Sequence, residues 1–93
     1  MGRPLKRKAE TREQAIGAVI TELRVKKGLT GQDVAHKVGC NEGHMYEIER
    51  GQQNPTFRVL QAIADLHKMR LSKVLWMAEE KYSRRRRRLN GGM

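Results

Sequence analysis

Cysteine is nearly missing from this 93-residue chain. Cys40 stands alone, so no intramolecular disulfide can staple the fold, and a reducing cytoplasm suits it. Aromatic residues are as scarce, with one Phe, one Trp and two Tyr. That is too few for a platform that stacks successive single-stranded bases. No apolar run reaches the length of a secretory core or a membrane span, so neither a leader nor a membrane partner is expected. Lys6 stands where N-myristoylation after Met1 and Gly2 would want Ser or Thr. Paired carboxylates in one predicted pocket, a Ser-His-Asp or Cys-His set on adjoining elements, and a glycine-rich phosphate loop are all lacking. A chain this short also has little material for a deep cleft. It reads as a non-enzyme without a cofactor.

Acidic residues are few as well: ten against twenty Lys and Arg, a net charge of +10, which makes a polyanion the expected partner. The excess is not spread evenly. Residues 1–12 and 79–93 each carry +4, whereas residues 13–78 carry only +2. The chain therefore divides into a basic arm at 1–12, a nearly neutral domain at 13–82 and an Arg-rich tail at 83–93, with both tips expected to be flexible.

Within the domain the apolar spacing is helical throughout and no alternating strand pattern competes. Ile16, Val19, Ile20 and Leu23 define a first helix that Gly28 can end. Thr30 can cap a second over about 31–38, carrying Val34, Ala35 and Val38 and stopped by Gly39. Asn41 can cap a third with Met45 and Ile48, ended by Gly51. Pro55 and Thr56 open a fourth, for which Phe57, Leu60, Ile63 and Ala64 are the expected inward positions. Leu71, Val74, Leu75, Ala78 and Tyr82 mark a fifth. The expected fold is all-α, five short helices with tight glycine turns. Helices two and three are separated by only Gly39, Cys40 and Asn41, a turn short enough to set them at a steep angle.

Leu23, Arg24, Gly28, Leu29, Thr30, Val34, Ala35, Gly39, Ile48, Glu49, Arg50, Gly51, Asn54, Pro55, Leu60, Ile63 and Ala64 together resemble the lambda-repressor-like helix-turn-helix domain of Xre-type bacterial and phage regulators. The resemblance runs over residues 16–75, about 60 of the 93. It implies a compact five-helix domain that binds double-stranded DNA as a homodimer. It also implies an ion pair between Arg24 and Glu49 that ties the first helix to the third. The third helix would enter the major groove, with Glu42, Gly43, His44, Tyr46 and Glu47 toward base edges. Thr30, Gln32, Asn41, Gln52, Gln53, Asn54 and Arg58 would hold phosphates.

The departures from the family pattern matter. The family's usual phosphate-clamping Gln at the start of helix two is Gly31 here, with Gln32 beside it. Residues 41–51 sum to −2, which opposes approach to DNA unless cations elsewhere hold the helix in place. Arg3, Lys6, Arg7 and Lys8 in the arm and Arg84, Arg85, Arg86, Arg87 and Arg88 in the tail are the expected source. The arm's Gly2, Arg3 and Pro4 also resemble part of an AT-hook, with Met1 in place of its first Arg. Residues 84–88 can either extend the fifth helix or hang free of it.

Trp76 and Met77 fall off the apolar stripe of the last helix and are the expected dimer surface. His36, Cys40 and His44 recur every four residues, but helix breakers separate them, so no metal is expected. His67 is expected to be a hydrogen-bonded core histidine, and Lys68 stands where the family carries Gly. The reading is a cytoplasmic, nucleoid-associated transcriptional regulator. The alternative is a protein-interaction module, an antitoxin or anti-regulator, whose basic ends bind nucleic acid without sequence preference. A controller of a restriction–modification operon or of a mobile element's excision gene is a DNA binder of the same kind with another target.

Overall fold

Side-chain caps punctuate the chain into its elements. The computed structural model describes the backbone of residues 11–90 and the side chains of residues 11–83. Five helices follow one another: α1 Arg12–Lys26, α2 Gly31–Val38, α3 Glu42–Glu49, α4 Phe57–Leu66 and α5 Leu71–Asn90. Thr11, Thr30, Asn41 and Thr56 each accept a hydrogen bond from the backbone N–H three residues on, satisfying one of the donors a helix start leaves over. At the α2 end, Gly39 adopts φ 74°, a left-handed conformation that reverses the chain into α3 with little steric cost. No strand occurs among the described residues.

The core is one cluster drawn from all five helices. Ala15, Ile16, Val19 and Ile20 of α1 meet Val34, Ala35 and Val38 of α2, Met45 and Ile48 of α3, Val59, Ile63 and Ala64 of α4, and Val74 and Ala78 of α5. Two inward positions differ from those expected by spacing. Phe57 is 67% exposed, whereas Val59, in the same first turn of α4 but on the side it shares with Ile63, takes the buried place. Leu75 is also exposed, since the α5 stripe centres on Val74 and Ala78 and turns Leu75 to its far edge. Met77 lies on the near edge and packs on the core, so it is not the exposed apolar surface expected of it.

α1 and α3 cross with almost no space between backbones. A Cβ on Gly17 would lie 2.5 Å from the carbonyl oxygens of both Ile48 and Glu49. Gly51, at φ 80°, sits against Gln14 just beyond the same crossing. Glycine is needed here for close approach, a role its place in the α1 sequence does not reveal.

α5 runs unbroken through Arg84, Arg85, Arg86, Arg87 and Arg88 to Asn90, so helical extension is the outcome for the Arg run. Arg12, assigned to the arm by its charge, is the first residue of α1. Its guanidinium pairs with Glu79 at 3.2 Å and stacks 4.4 Å from the Tyr82 ring centre. Lys81 reaches Glu22 at 2.6 Å, a second tie between α5 and α1. No helix among the described residues is long and apolar enough to cross a membrane.

Candidate functional site

The α2–α3 unit is built to hold one short helix at a fixed angle with one face outward. Its entry is a capping box: the Thr30 hydroxyl accepts from the Asp33 N–H at 3.0 Å, and the Asp33 carboxylate accepts from the Thr30 N–H at 2.9 Å. The backbone N–H of Thr30, with its hydroxyl adding to the effect, holds the Asp33 carboxyl below the ordinary carboxylate range. Its exit is pinned to α1. Arg24 donates from Nε to Glu49 at 2.8 Å and from Nη2 at 3.1 Å, while Nη1 donates to the Leu29 carbonyl at 3.0 Å. These side chains keep only 20% and 12% of their exposure, so the fork-to-fork pair is largely shielded from water.

With Met45 and Ile48 buried and Glu49 pinned, the other face of α3 is outward. Glu42, Gly43 and Tyr46 are exposed there, whereas Glu47 is half-buried, as is His44 toward the side of the helix. Thr30, Gln32, Asn41, Gln52, Gln53, Asn54 and Arg58 are all exposed, with Thr30 and Asn41 at the starts of α2 and α3 and residues 52–54 just past the end of α3. The Thr30 and Asn41 oxygens are already engaged in capping, which leaves the Thr30 hydroxyl proton and the Asn41 amide N–H groups for a ligand. Sequence reasoning missed Arg50. It is exposed at the C-cap of α3, with its guanidinium 5.2 Å from the Tyr46 ring centre. The i, i+4 spacing of a Tyr and an Arg was the available signal.

Arg3, Lys6, Arg7 and Lys8 lie outside the described residues, as do the side chains of residues 84–88. The places where these segments join the domain are described, and they are adjacent: Arg12 touches Glu79 and Tyr82. Next to that corner is a shallow groove of about 370 Å³, floored by Ile16, Pro55, Leu60, Leu75 and Ala78 and rimmed by Arg12, Glu13, Asn54 and Glu79. Trp76, 56% exposed, follows Leu75 on α5, with the Lys73 ammonium 5.2 Å from its ring centre.

His36, Cys40 and His44 do not form a metal site, and no group of three such ligands gathers among the described residues. Cys40 packs against the core, and burial pushes its thiol pKa up, which disfavours the thiolate a metal or an electrophile would need. His67 corrects an expectation. Its Nε2 is buried with no hydrogen-bond partner among the described residues, and burial, aided by the Lys27 charge, holds its pKa below the ordinary range. Lys68 beside it takes φ 55°, the left-handed conformation that a Gly would adopt more readily.

A helix-turn-helix domain model matches residues 15–73, more than half of the chain. The chain thus belongs to the helix-turn-helix domain family, in its Xre-type form. Among characterised relatives, the transcriptional regulator ClgR of Mycobacterium tuberculosis (strain ATCC 25618 / H37Rv) is 32% identical over 74 residues. That match takes in 80% of this chain but 66% of ClgR, so the chain spans just under two-thirds of that protein's length. An uncharacterized HTH-type transcriptional regulator of Archaeoglobus fulgidus is 31% identical over 61 residues, 66% of this chain and 87% of that protein. In three dimensions the chain is similar to the clp gene regulator ClgR from Corynebacterium glutamicum, with TM-score 0.76, 23% identity and 83% of each chain covered. It is also similar to the restriction-modification controller protein C.AhdI from Aeromonas hydrophila, with TM-score 0.63, 24% identity, and 67% of this chain and 94% of that one covered. At those identities the structural likeness speaks for the fold.

Proposed function

We propose that this chain is a transcriptional regulator that binds a specific double-stranded DNA operator as a homodimer in the cytoplasm, at the nucleoid. The observation that carries the reading is the arrangement of α3. Its last turn is locked to α1 through Arg24 and Glu49, Met45 and Ile48 face the core, and the arc opposite those two carries the exposed Glu42, Gly43 and Tyr46 and the half-buried Glu47. A helix held this way, with helix starts and polar side chains around it, can enter a major groove in one register. Glu42 and Glu47 can accept hydrogen bonds from cytosine N4, while His44 lies where it can reach the groove wall. Thr30, Gln32, Asn41, Gln52, Gln53, Asn54 and Arg58 position the domain on phosphates.

The acidic face still needs cations. Arg3, Lys6, Arg7 and Lys8 join the domain at the corner where Arg12 meets Glu79 and Tyr82, and the Arg run of α5 continues from that same corner. Both basic segments therefore start from one flank, near Asn54. Leu75 and Trp76, beside the apolar groove, offer the surface for a second copy, and two copies would address two half-sites about one helical turn apart. The names of the relatives, transcriptional regulators and a restriction-modification controller, support the same class of activity.

The test is binding to a duplex over a range of salt, with the nine cations of the arm and the Arg run replaced by Gln in the full chain. Affinity should fall for every sequence, and the log–log salt slope should flatten by about 0.9 for each phosphate that is no longer neutralised. Glu42→Ala should instead change the preferred sequence and leave the slope nearly as it was. An unchanged slope after neutralising the nine cations would refute the charge argument. The acidity of the outward face favours a second reading, a protein-interaction module. It would appear as a tight protein complex together with salt-labile, sequence-blind DNA binding.

A further inference from the structure

Arg50 is not among the side chains assigned to bases or phosphates, yet helix geometry sets it in the middle of the proposed groove face. At 100° per residue, Glu42, Gly43, Tyr46, Glu47 and Arg50 fall on one arc of α3, opposite Met45 and Ile48. Arg50 caps the helix with φ −88° and ψ −1°, so its backbone still follows the helical path and its side chain continues the same stripe. It is the only Lys or Arg between residues 41 and 51. No carboxylate among the described residues pairs with it.

Its position is nevertheless defined. The guanidinium lies 5.2 Å from the ring centre of Tyr46, one turn back along the helix, and Tyr46 is itself 60% exposed. Side chains on a helix lean toward its N-terminus, so the stack carries the cation toward Gly43, which has no side chain to obstruct it. An exposed cation–π contact is too weak to be needed for folding. What it does is limit the rotamers of a long side chain before any ligand arrives.

We infer that Tyr46 and Arg50 form one reading unit: the ring steadies the guanidinium, and its outward N–H edge donates to O6 and N7 of a guanine in the major groove. The planar fork matches that acceptor pair in a fixed geometry, whereas an ammonium meets it as a flexible point charge. The inference rests on the DNA-binding reading and adds to it the base that a named residue selects. It also gives the acidic face a cation at its centre, beside the carboxylates suited to cytosine.

The experiment measures binding of the full chain and of Arg50→Lys, Arg50→Gln, Tyr46→Phe and Tyr46→Leu to the duplex that the unaltered chain selects. Each guanine of that duplex is replaced in turn by 7-deazaguanine, which lacks the N7 acceptor. One such replacement in each half-site should weaken the unaltered chain by about 5- to 150-fold and leave Arg50→Gln no weaker than it already is. Arg50→Lys should lose most of the same factor. Tyr46→Leu should lose about 2- to 5-fold more than Tyr46→Phe, which keeps the ring under the guanidinium, with thermal unfolding of all four unchanged.

Equal additional losses in Arg50→Gln at every guanine would overturn the unit. So would a loss on Arg50→Gln that is uniform across sequences and lowers the salt slope by about one, the signature of a phosphate contact. If the unaltered chain selects a motif and Arg50→Gln selects the same one with equal strength, the unit alone fails. If the unaltered chain selects no motif, the operator reading fails and takes the unit with it.

Discussion

Three glutamates lie within the eight residues of α3, and their surroundings give them different work. Glu49 is largely shielded, takes both forks of Arg24, and helps fix the angle of α3 against α1. Glu42 is exposed and Glu47 half-buried, and no ion pair among the described residues engages either. The difference shows that net charge is a poor guide to a short helix. The −2 of residues 41–51 looks hostile to DNA, but Glu49 is neutralised inside the fold by Arg24. What remains outward is two carboxylates with Arg50 between them.

The comparison can be broken most severely from its inner side. Glu49→Gln strands the Arg24 charge in a largely shielded place and is expected to lower unfolding stability by about 3 kcal/mol in denaturant titration. Replacing both partners by apolar residues should recover much of that loss, since neither charge is then left unpaired. A loss under about 1 kcal/mol for the single substitution would mean that water solvates the pair and the crossing is held by other contacts.

Next in size is Gly17→Ala, on the same crossing. The new methyl meets two backbone oxygens that have no side-chain freedom with which to yield, so α1 must move off α3. Overpacking of this kind costs about 1–3 kcal/mol, against less than about 1 kcal/mol gained from the better helix propensity of Ala. Thermal unfolding should show a net decrease.

His67→Leu acts in the opposite direction and away from α3. It removes a buried nitrogen that has no partner among the described residues and should raise stability by about 1 kcal/mol. Its pH signature is separate. Because the folded chain holds His67 below its ordinary pKa of 6.5, the histidine favours the folded state above that value, and the contribution is lost as pH falls through the folded pKa. The unaltered chain should therefore lose stability on acidification from about pH 7 to 5 more steeply than His67→Leu. Parallel curves would place the acid sensitivity elsewhere.

The smallest stability effect belongs to the outer face and sharpens the contrast with Glu49. Glu42→Gln is expected to change unfolding stability by no more than about 0.5 kcal/mol while altering which duplexes are preferred. A carboxylate on the same helix, seven residues from Glu49, would thus matter for recognition and hardly at all for folding.

Much of this architecture is legible in the sequence because it is written locally. Thr30, Gly39, Asn41, Gly51 and Thr56 mark helix ends through their own backbone and side-chain chemistry, and the helix limits follow from them. Phase is less legible than period. Phe57 and Val59 are both apolar and share the first turn of α4, and the side of that turn that meets the core, the side of Ile63, decides that Phe57 stays in water. Leu75 and Met77 exchange roles for a related reason, since the stripe of α5 is set by where it meets α1.

Features that depend on two distant segments leave weaker traces. Gly17 looks like an ordinary helix interior glycine until α3 is placed against it. Arg12 looks like the last cation of an arm until Glu79 and Tyr82, about seventy positions on, come beside it. The family resemblance supplies the Arg24 and Glu49 pair, which composition and periodicity do not. Arg50 counts in the sequence as a charge and as one residue of the family resemblance, and its place beside Tyr46 emerges only on the helix wheel.

The central claim is that the outward face of α3 reads sequence and the basic ends supply affinity. Selection from a pool of random duplexes at about 150 mM salt, which suppresses binding driven by the ends alone, tests it most directly. A palindromic motif with half-sites about one helical turn apart and guanine at a fixed position is the predicted result. An unenriched pool, with binding that disappears as salt rises, would contradict the account and leave α3 as a surface for another protein.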